Sequence, residues 1–305
     1  WRRDFFIDRP WPKTGEREVV LLVDTFNRYF EPENARAAIR VLQAGDYRVH
    51  VAQPLDAVAG QLGYSLPAAE ALLQSARRKL LAARERRVRP GRDEKILTSW
   101  NALMIEGMAH AARVFGRDDW LDSAQRALDF LRGTLWGEGK LLATCKDGRA
   151  HLNAYLDDHA FLLAALLEML QAGFRATDFG LAMVIADALL DRFEDPADGG
   201  FFFTSHDHER LILRPKPGHD NATPSGNGIA ALALTRLGHL SGEPRYLAAA
   251  TRTLELFYPI LSRQPAGFAT LCTALAEILE PTQTVVLRAP GAVPPDWLRA
   301  LAACY

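Results

Sequence analysis

Cysteine is scarce in this chain of 305 residues, and the three present, Cys145, Cys272 and Cys304, stand far apart with no Cys-x-x-Cys among them. A zinc site, an iron–sulfur ligand set and a thioredoxin-type redox pair each need closely spaced thiols, so the cysteines support none of these. They read as buried or incidental thiols, and an odd count without an export signal points to a reducing cytoplasm. Apolar runs are short as well. None reaches the roughly 20 residues that span a bilayer, and the opening WRRDFFIDRP has no signal-peptide core. Neither sign of charge is in excess: 36 Lys and Arg against 37 Asp and Glu leave a formal net charge of -1. Nucleic-acid binding needs a concentrated basic face. The one basic run, Arg77 to Arg92, alternates with Leu and Ala at helical spacing, as a solvated helix face does. Neither a nucleic acid nor a membrane is an expected partner.

What is present is an ordinary globular composition, 49% hydrophobic and 24% charged, enough for a large core in one or two domains. Glu18–Asp24 (EVVLLVD) and Tyr47–Ala52 (YRVHVA) read as strands around a helix from Pro32 to Ala44. This β-α-β order implies a parallel pair, without a Gly-rich phosphate loop. The character changes at Pro54, which divides the chain into an N-terminal β-α-β fragment, 1–53, and a helical domain, 54–305. Beyond that junction Ser65 caps a long amphipathic helix. Helix pairs follow at 99–115 and 118–132, 154–172 and 177–193, and 224–240 and 244–261, with a further helix at 267–279. Gln283–Arg288 reads as a late strand and Asp296–Ala303 as a terminal helix.

The longest break in the helical pattern is Gly199–Asn227, GGFFFTSHDHERLILRPKPGHDNATPSGN. Gly200–Thr204 and Arg210–Leu213 read as a hairpin with Ser205–Glu209 at its polar tip. Thr223 is the expected N-cap of the next helix, with Pro224 in its first turn. A connection this long is usually functional or disordered, and Phe201-Phe202-Phe203 argues against disorder.

The three pairs open on similar clusters: Leu97-Thr98-Ser99-Trp100-Asn101, Tyr155-Leu156-Asp157-Asp158-His159 and Thr223-Pro224-Ser225-Gly226-Asn227. That repeat makes a helical-hairpin array, either a solenoid or a closed α/α toroid. The β-like runs GKLLATC and GGFFFTS in the connections favour the toroid, with first-helix N-termini converging on one mouth.

RPGRDEKILTSWNALMIEGMAHAARVFG, HLNAYLDDHAFLLAALLEML and GGFFFTSHDHERLILRPKPGHDNATPSGNGIAALALTRLG resemble the C-terminal six-hairpin (α/α) region of the thioredoxin-domain-containing, spermatogenesis-associated protein family, from about Leu55 to Leu287. That barrel looks like those of N-acylglucosamine 2-epimerases and six-hairpin glycosidases. The resemblance implies a mainly α fold: an incomplete toroid lacking its first helices, with short β-hairpins in its connections. A second resemblance covers residues 18–53. DTFNRYFEPENARAAIRVLQAGDYRVHVAQP is similar to the start of the cysteine-rich domain of iron–sulfur lactate and glycolate oxidoreductases. The cluster cysteines are absent there, so it implies a fold fragment without redox function.

Candidate chemistry gathers at the helix openings. Asp157 and Asp158 begin an otherwise apolar helix. One acid there is favoured by the helix dipole; side chains about 100° apart cannot both face the mouth, and one positioned carboxylate suits acid–base work. His206 in the polar tip and Asp220 complete the catalytic candidates, with His159 and His219 weaker ones. Trp100, Asn101, Tyr155, Arg214, Ser225 and Asn227 are the expected substrate contacts: an aromatic ring to stack on a sugar, a rigid guanidinium and hydroxyl partners. Trp100, Asp157 or Asp158, Arg214, Asp220 and Asn227 are expected to share one cavity. No metal or cofactor is called for, and the expected ligand is a small carbohydrate. The function expected is carbohydrate-active or carbohydrate-binding, in the manner of an epimerase or isomerase or of a glycosidase. The competing reading is a non-catalytic scaffold module whose polar clusters are helix caps.

Overall fold

The computed structural model describes residues 17–21, 32–44, 47–51, 59–209 and 211–280, with 283–287 and scattered positions to 300 beyond them. The chain divides into two compact units, Trp1–Arg92 and Asp93–Tyr305. In the first unit β1 (Arg17–Leu21) and β2 (Tyr47–Val51) pair in parallel, Arg17 opposite Tyr47 through Leu21 opposite Val51, joined through α1 (Pro32–Ala44). The same unit contains α2 (Leu66–Glu85), whose first turn is closed by Ser65 Oγ accepting the Ala68 N–H at 3.4 Å. The contact division therefore falls after α2, at residue 92, where the sequence suggests a junction at Pro54.

The second unit is built from helical hairpins. After β3 (Ile96–Leu97) come α3 (Thr98–Phe115) and α4 (Asp118–Phe130), then a π-helical turn and β4 (Trp136–Gly137), β5 (Lys140–Lys146) and β6 (Arg149–Asn153), which with β3 form a small four-stranded sheet. The β5–β6 hairpin turns on Asp147 and Gly148, at φ 52° and 73°, between the paired Lys146 and Arg149. Positive φ at both central residues is the two-residue turn that matches strand twist. Then follow α5 (Leu156–Ala172), α6 (Ala176–Arg192), α7 (Gly226–Ser241), α8 (Pro244–Leu261) and α9 (Ala269–Leu279). Gly116 ends α3 and Gly242 ends α7 in the left-handed conformation, where glycine carries no Cβ penalty.

Helices α3, α5, α7 and α9 pack side by side as an inner layer, while α4, α6 and α8 pack on α3, α5 and α7 as an outer one. This is an incomplete α/α toroid. The inner position of α5 explains its composition: Leu156 and Asp158 through Leu170 are all buried, and a helix covered on every side must be apolar all round.

Three local expectations are corrected. The hairpin between 200–204 and 210–213 does not form: residues 211–213 carry no strand, and Arg210 lies outside the described residues. Phe201 instead bridges to Glu194, the Phe202 N–H reaches Phe193 O at 2.8 Å, and the Phe203 N–H reaches Pro215 O at 2.8 Å. Prolines at 215 and 217 offer no N–H to a ladder, and the older segment of chain at 193–194 takes the pairing. The N-cap of α7 is Ser225 rather than Thr223, with Ser225 Oγ accepting the Gly228 N–H at 2.9 Å. The late strand is likewise absent at 283–287, its described residues, and most of the expected terminal helix lies outside them.

Candidate functional site

The first turns of the inner helices meet at one end of the second unit, and the ties between them are specific. Asp158, buried in the first turn of α5, accepts the Ser99 N–H of α3 at 2.9 Å through Oδ1 and the Tyr155 N–H at 2.9 Å through Oδ2. Each bond satisfies an N–H that a helix start leaves without an intrahelical partner. Asp220 repeats the device between α7 and α9, accepting the Ser225 N–H and the Thr270 N–H, both at 2.8 Å. The junction between α5 and α7 is held by the segment 201–203. The Leu156 N–H bonds Phe203 O at 3.0 Å, and Asn227, fully buried on α7, clamps Phe201 through its N–H at 2.7 Å and its O at 2.9 Å. The Asn227 amide also donates to Pro217 O at 2.8 Å.

Asp157 differs from its neighbours. It has no hydrogen-bond partner among the described residues, is only partly exposed, and lies against Gly226 at the start of α7. A Cβ at position 226 would fall well inside van der Waals contact with Asp157 Oδ1, so glycine leaves room for the carboxylate. Burial first, and the adjacent Asp158 second, push the Asp157 carboxyl up to about 6. Burial also raises Asp158, opposed by its bonds from Tyr155 and Ser99. The two acids thus divide: one fastens helices, and the other, without a structural partner, exchanges its proton about two pH units closer to neutrality than an ordinary aspartate.

The remaining candidates sit around this rim. Trp100 is 65% exposed in the first turn of α3, and Asn101 Nδ2 donates to Leu97 O at 2.8 Å. The Tyr155 ring stacks on Phe203 and on His208, each at 5.1 Å between centroids. Arg214 lies 4.2 Å over the Phe202 ring and donates from Nη2 to Thr204 O at 2.6 Å. His206 is exposed on the loop and engaged through its backbone N–H with Arg192 O at 3.0 Å. His159 is buried, held low at about 4 by burial, and its Nδ1 contacts Tyr155 O at 3.0 Å. One small cavity, about 10 Å³, lies beside it between Lys140, Arg192, Ser205 and Asp207 and has room for a single water-sized species. Asp157, Asp220, Arg214, Trp100 and Asn227 do not line it.

Sequence reasoning did not single out Ser99, Gly226 or Thr270, each joined to a candidate acid by tertiary contact. Their one signal is position: Ser99 and Gly226 lie inside the repeated opening clusters. Among the described residues no group of three or more His, Cys, Asp or Glu is placed to hold a metal ion, and no helix is long and apolar enough to cross a membrane.

Fold and site together define a helical-hairpin domain with a polar rim at the inner-helix N-termini. The chain is similar to spermatogenesis-associated protein 20: the protein from Homo sapiens is 29% identical over 244 residues, 76% of this chain and 31% of the relative. The chain therefore spans about a third of the length of the curated relatives it matches. No family model matches it. Among solved structures, cellobiose 2-epimerase from Spirochaeta thermophila is similar at a TM-score of 0.46 and 21% identity, covering 55% of this chain and 44% of the other. A GH76 α-mannanase from Bacteroides thetaiotaomicron is similar at a TM-score of 0.49 and 10% identity, covering 63% and 55%.

Proposed function

We propose that the helical unit is a carbohydrate-active or carbohydrate-binding domain whose working group is Asp157. One observation carries this reading: among the rim carboxylates Asp157 alone is left without a structural partner, partly desolvated and raised to about 6. A carboxyl group poised there gives a proton to a departing sugar oxygen, or takes one from carbon beside a carbonyl, near neutral pH. Those are the steps of a glycosidase and of an epimerase or isomerase respectively. The exposed Trp100 ring supplies a stacking face at the same end of the helices. The resemblance of the opening motifs to the six-hairpin family supports the same substrate class.

The scaffold reading has its own support, because Asp158, Asp220, Ser225 and Asn227 all fasten backbone. Calorimetric titration of the parent and of Asp157→Asn with a panel of monosaccharides and disaccharides separates the two. The carbohydrate reading expects saturable binding that weakens about tenfold or more in the variant, at 1.4 kcal/mol per decade. A folded parent that binds no member of the panel leaves the scaffold reading in place.

A further inference from the structure

Farther along the inner helices, away from the rim, lies a second group of charged side chains that the proposed function does not use. Glu106, His110 and Arg113 recur on α3 at spacings of four and three, which places them on one face. Opposite them, Glu168 of α5 is buried at 6% exposure; its Oε1 receives Arg113 Nη2 at 2.8 Å and His110 Nδ1 at 3.1 Å. From α7, Arg236 forks onto Glu277 of α9, with Nε at 3.1 and 3.0 Å from the two oxygens and Nη2 on Oε1. All four inner helices contribute.

The group is not closed on itself. Glu106 has no hydrogen-bond partner among the described residues, although it lies within electrostatic reach of Glu168, Arg236 and His110. Arg236 commits Nε and Nη2 and leaves Nη1 uncommitted; its side chain is 37% exposed, and that of His110 is 58% exposed. His110 Nδ1 lies 3.1 Å from the Glu168 carboxylate and 3.4 Å from Arg113 Nη2, so that nitrogen is engaged and Nε2 is the ring atom left for a ligand. Donors and acceptors thus alternate across the helices.

We propose that this cluster is a second ligand site, for a small, uncharged, hydroxyl-rich molecule such as a monosaccharide. The charge balance selects the class. Arg113 offsets Glu168 and Arg236 offsets Glu277, which leaves no surplus cation to hold an anion. Burial and the charge of Glu168 push the Glu106 carboxyl upward, toward its neutral, donating form. A hydroxyl is donor and acceptor at once, so vicinal hydroxyls fit the Glu106 carboxyl, the spare Arg236 nitrogen and His110 Nε2.

The test titrates the full 305-residue chain with D-mannose and with cellobiose, following the His110 ring by nitrogen-edited NMR and the Trp100 indole in the same samples. The expected result is a saturable shift of the His110 signals that survives Asp157→Asn. Glu106→Leu should weaken it by about tenfold or more, and Glu106→Gln, which keeps a donor and an acceptor, by about threefold or less. Thermal unfolding of both Glu106 variants reports folding, and the Gln variant keeps the question open to measurement if the Leu variant does not fold. A response of Trp100 without His110 overturns this site and leaves the rim reading standing. His110 responding alone does the reverse, and silence from both overturns both.

Discussion

The Asp157 carboxylate occupies the space that a side chain at Gly226 would need. Alanine at 226 gains helix propensity of about 1 kcal/mol but forces its Cβ onto Asp157 Oδ1 and the Leu156 side chain. Overpacking of this kind costs roughly 1–3 kcal/mol, so Gly226→Ala is expected to be destabilising on balance. Adding Asp157→Ala should recover part of the loss. A double-mutant cycle by denaturant unfolding measures the coupling, and strictly additive losses would show that the carboxylate is not what the methyl meets.

Asp157 and Asp158, neighbours in sequence, should respond in opposite directions to the same change. Asp158→Asn turns an NH2 toward one of two backbone N–H groups, and a buried donor left unpaired costs roughly 1–3 kcal/mol. Asp157→Asn removes a partly desolvated charge without a partner, so stability at pH 7 should rise by roughly 1 kcal/mol. Thermal unfolding of both variants at pH 7 decides it; a matching loss in both would mean that Asp157 is structural as well.

The pH dependence of stability should carry two opposed contributions. Asp157 is raised to about 6 in the folded chain, so its contribution is present in acid and declines as pH climbs from about 4 to 6. His159 is lowered to about 4; its contribution is complete above about 6.5 and is lost as pH falls toward 4. Between pH 4 and 6 Asp157→Asn should therefore steepen the rise of stability with pH, and His159→Gln should flatten or invert it. Unfolding free energies across that range read both slopes, and parallel curves for parent and variants would contradict the assignment.

Asn227→Ala strands the Phe201 N–H and two carbonyls, Phe201 O and Pro217 O, that the amide now satisfies. A loss of about 3 kcal/mol or more is expected, at roughly 1–3 for each buried group left unpaired. Limited proteolysis should show earlier cleavage between 203 and 217 than in the parent. Unchanged cleavage there would mean that the clamp does not hold this segment.

The helix pairs were legible because each shows its own 3.6-residue pattern, and α5 in particular reads as buried from AFLLAALLEML alone. The rim was half legible. The opening clusters mark the first turns, yet the Ser99 that Asp158 serves lies 59 positions earlier, and the Thr270 that Asp220 serves lies 50 positions later. Spacing within one helix carries no trace of such partners. Phe201–Phe203 looked like one arm of a hairpin because aromatic residues favour strands; its actual partners are Leu156, Phe193, Glu194, Pro215 and Asn227, set by tertiary packing. Glu106 and Glu168 belong to no motif in the sequence, since only the packing of α3 on α5 brings their faces together.

A carboxylate that accepts from two backbone amides works as a length gauge. Asp158 sets the height of α5 relative to α3, and Asp220 that of α9 relative to α7, each within the tolerance of a hydrogen bond. Axial register is thereby fixed at the first turn and nowhere depends on how the chain travels between helices. Extra residues in the connection from α4 to β5 or from α6 to Phe201 should leave the rim level. A single residue inserted between Tyr155 and Asp158 rotates the carboxylate by about 100° and breaks the level of two helices together. Drift in length is affordable in the outer connections and costly beside the two gauges and the Asn227 clamp.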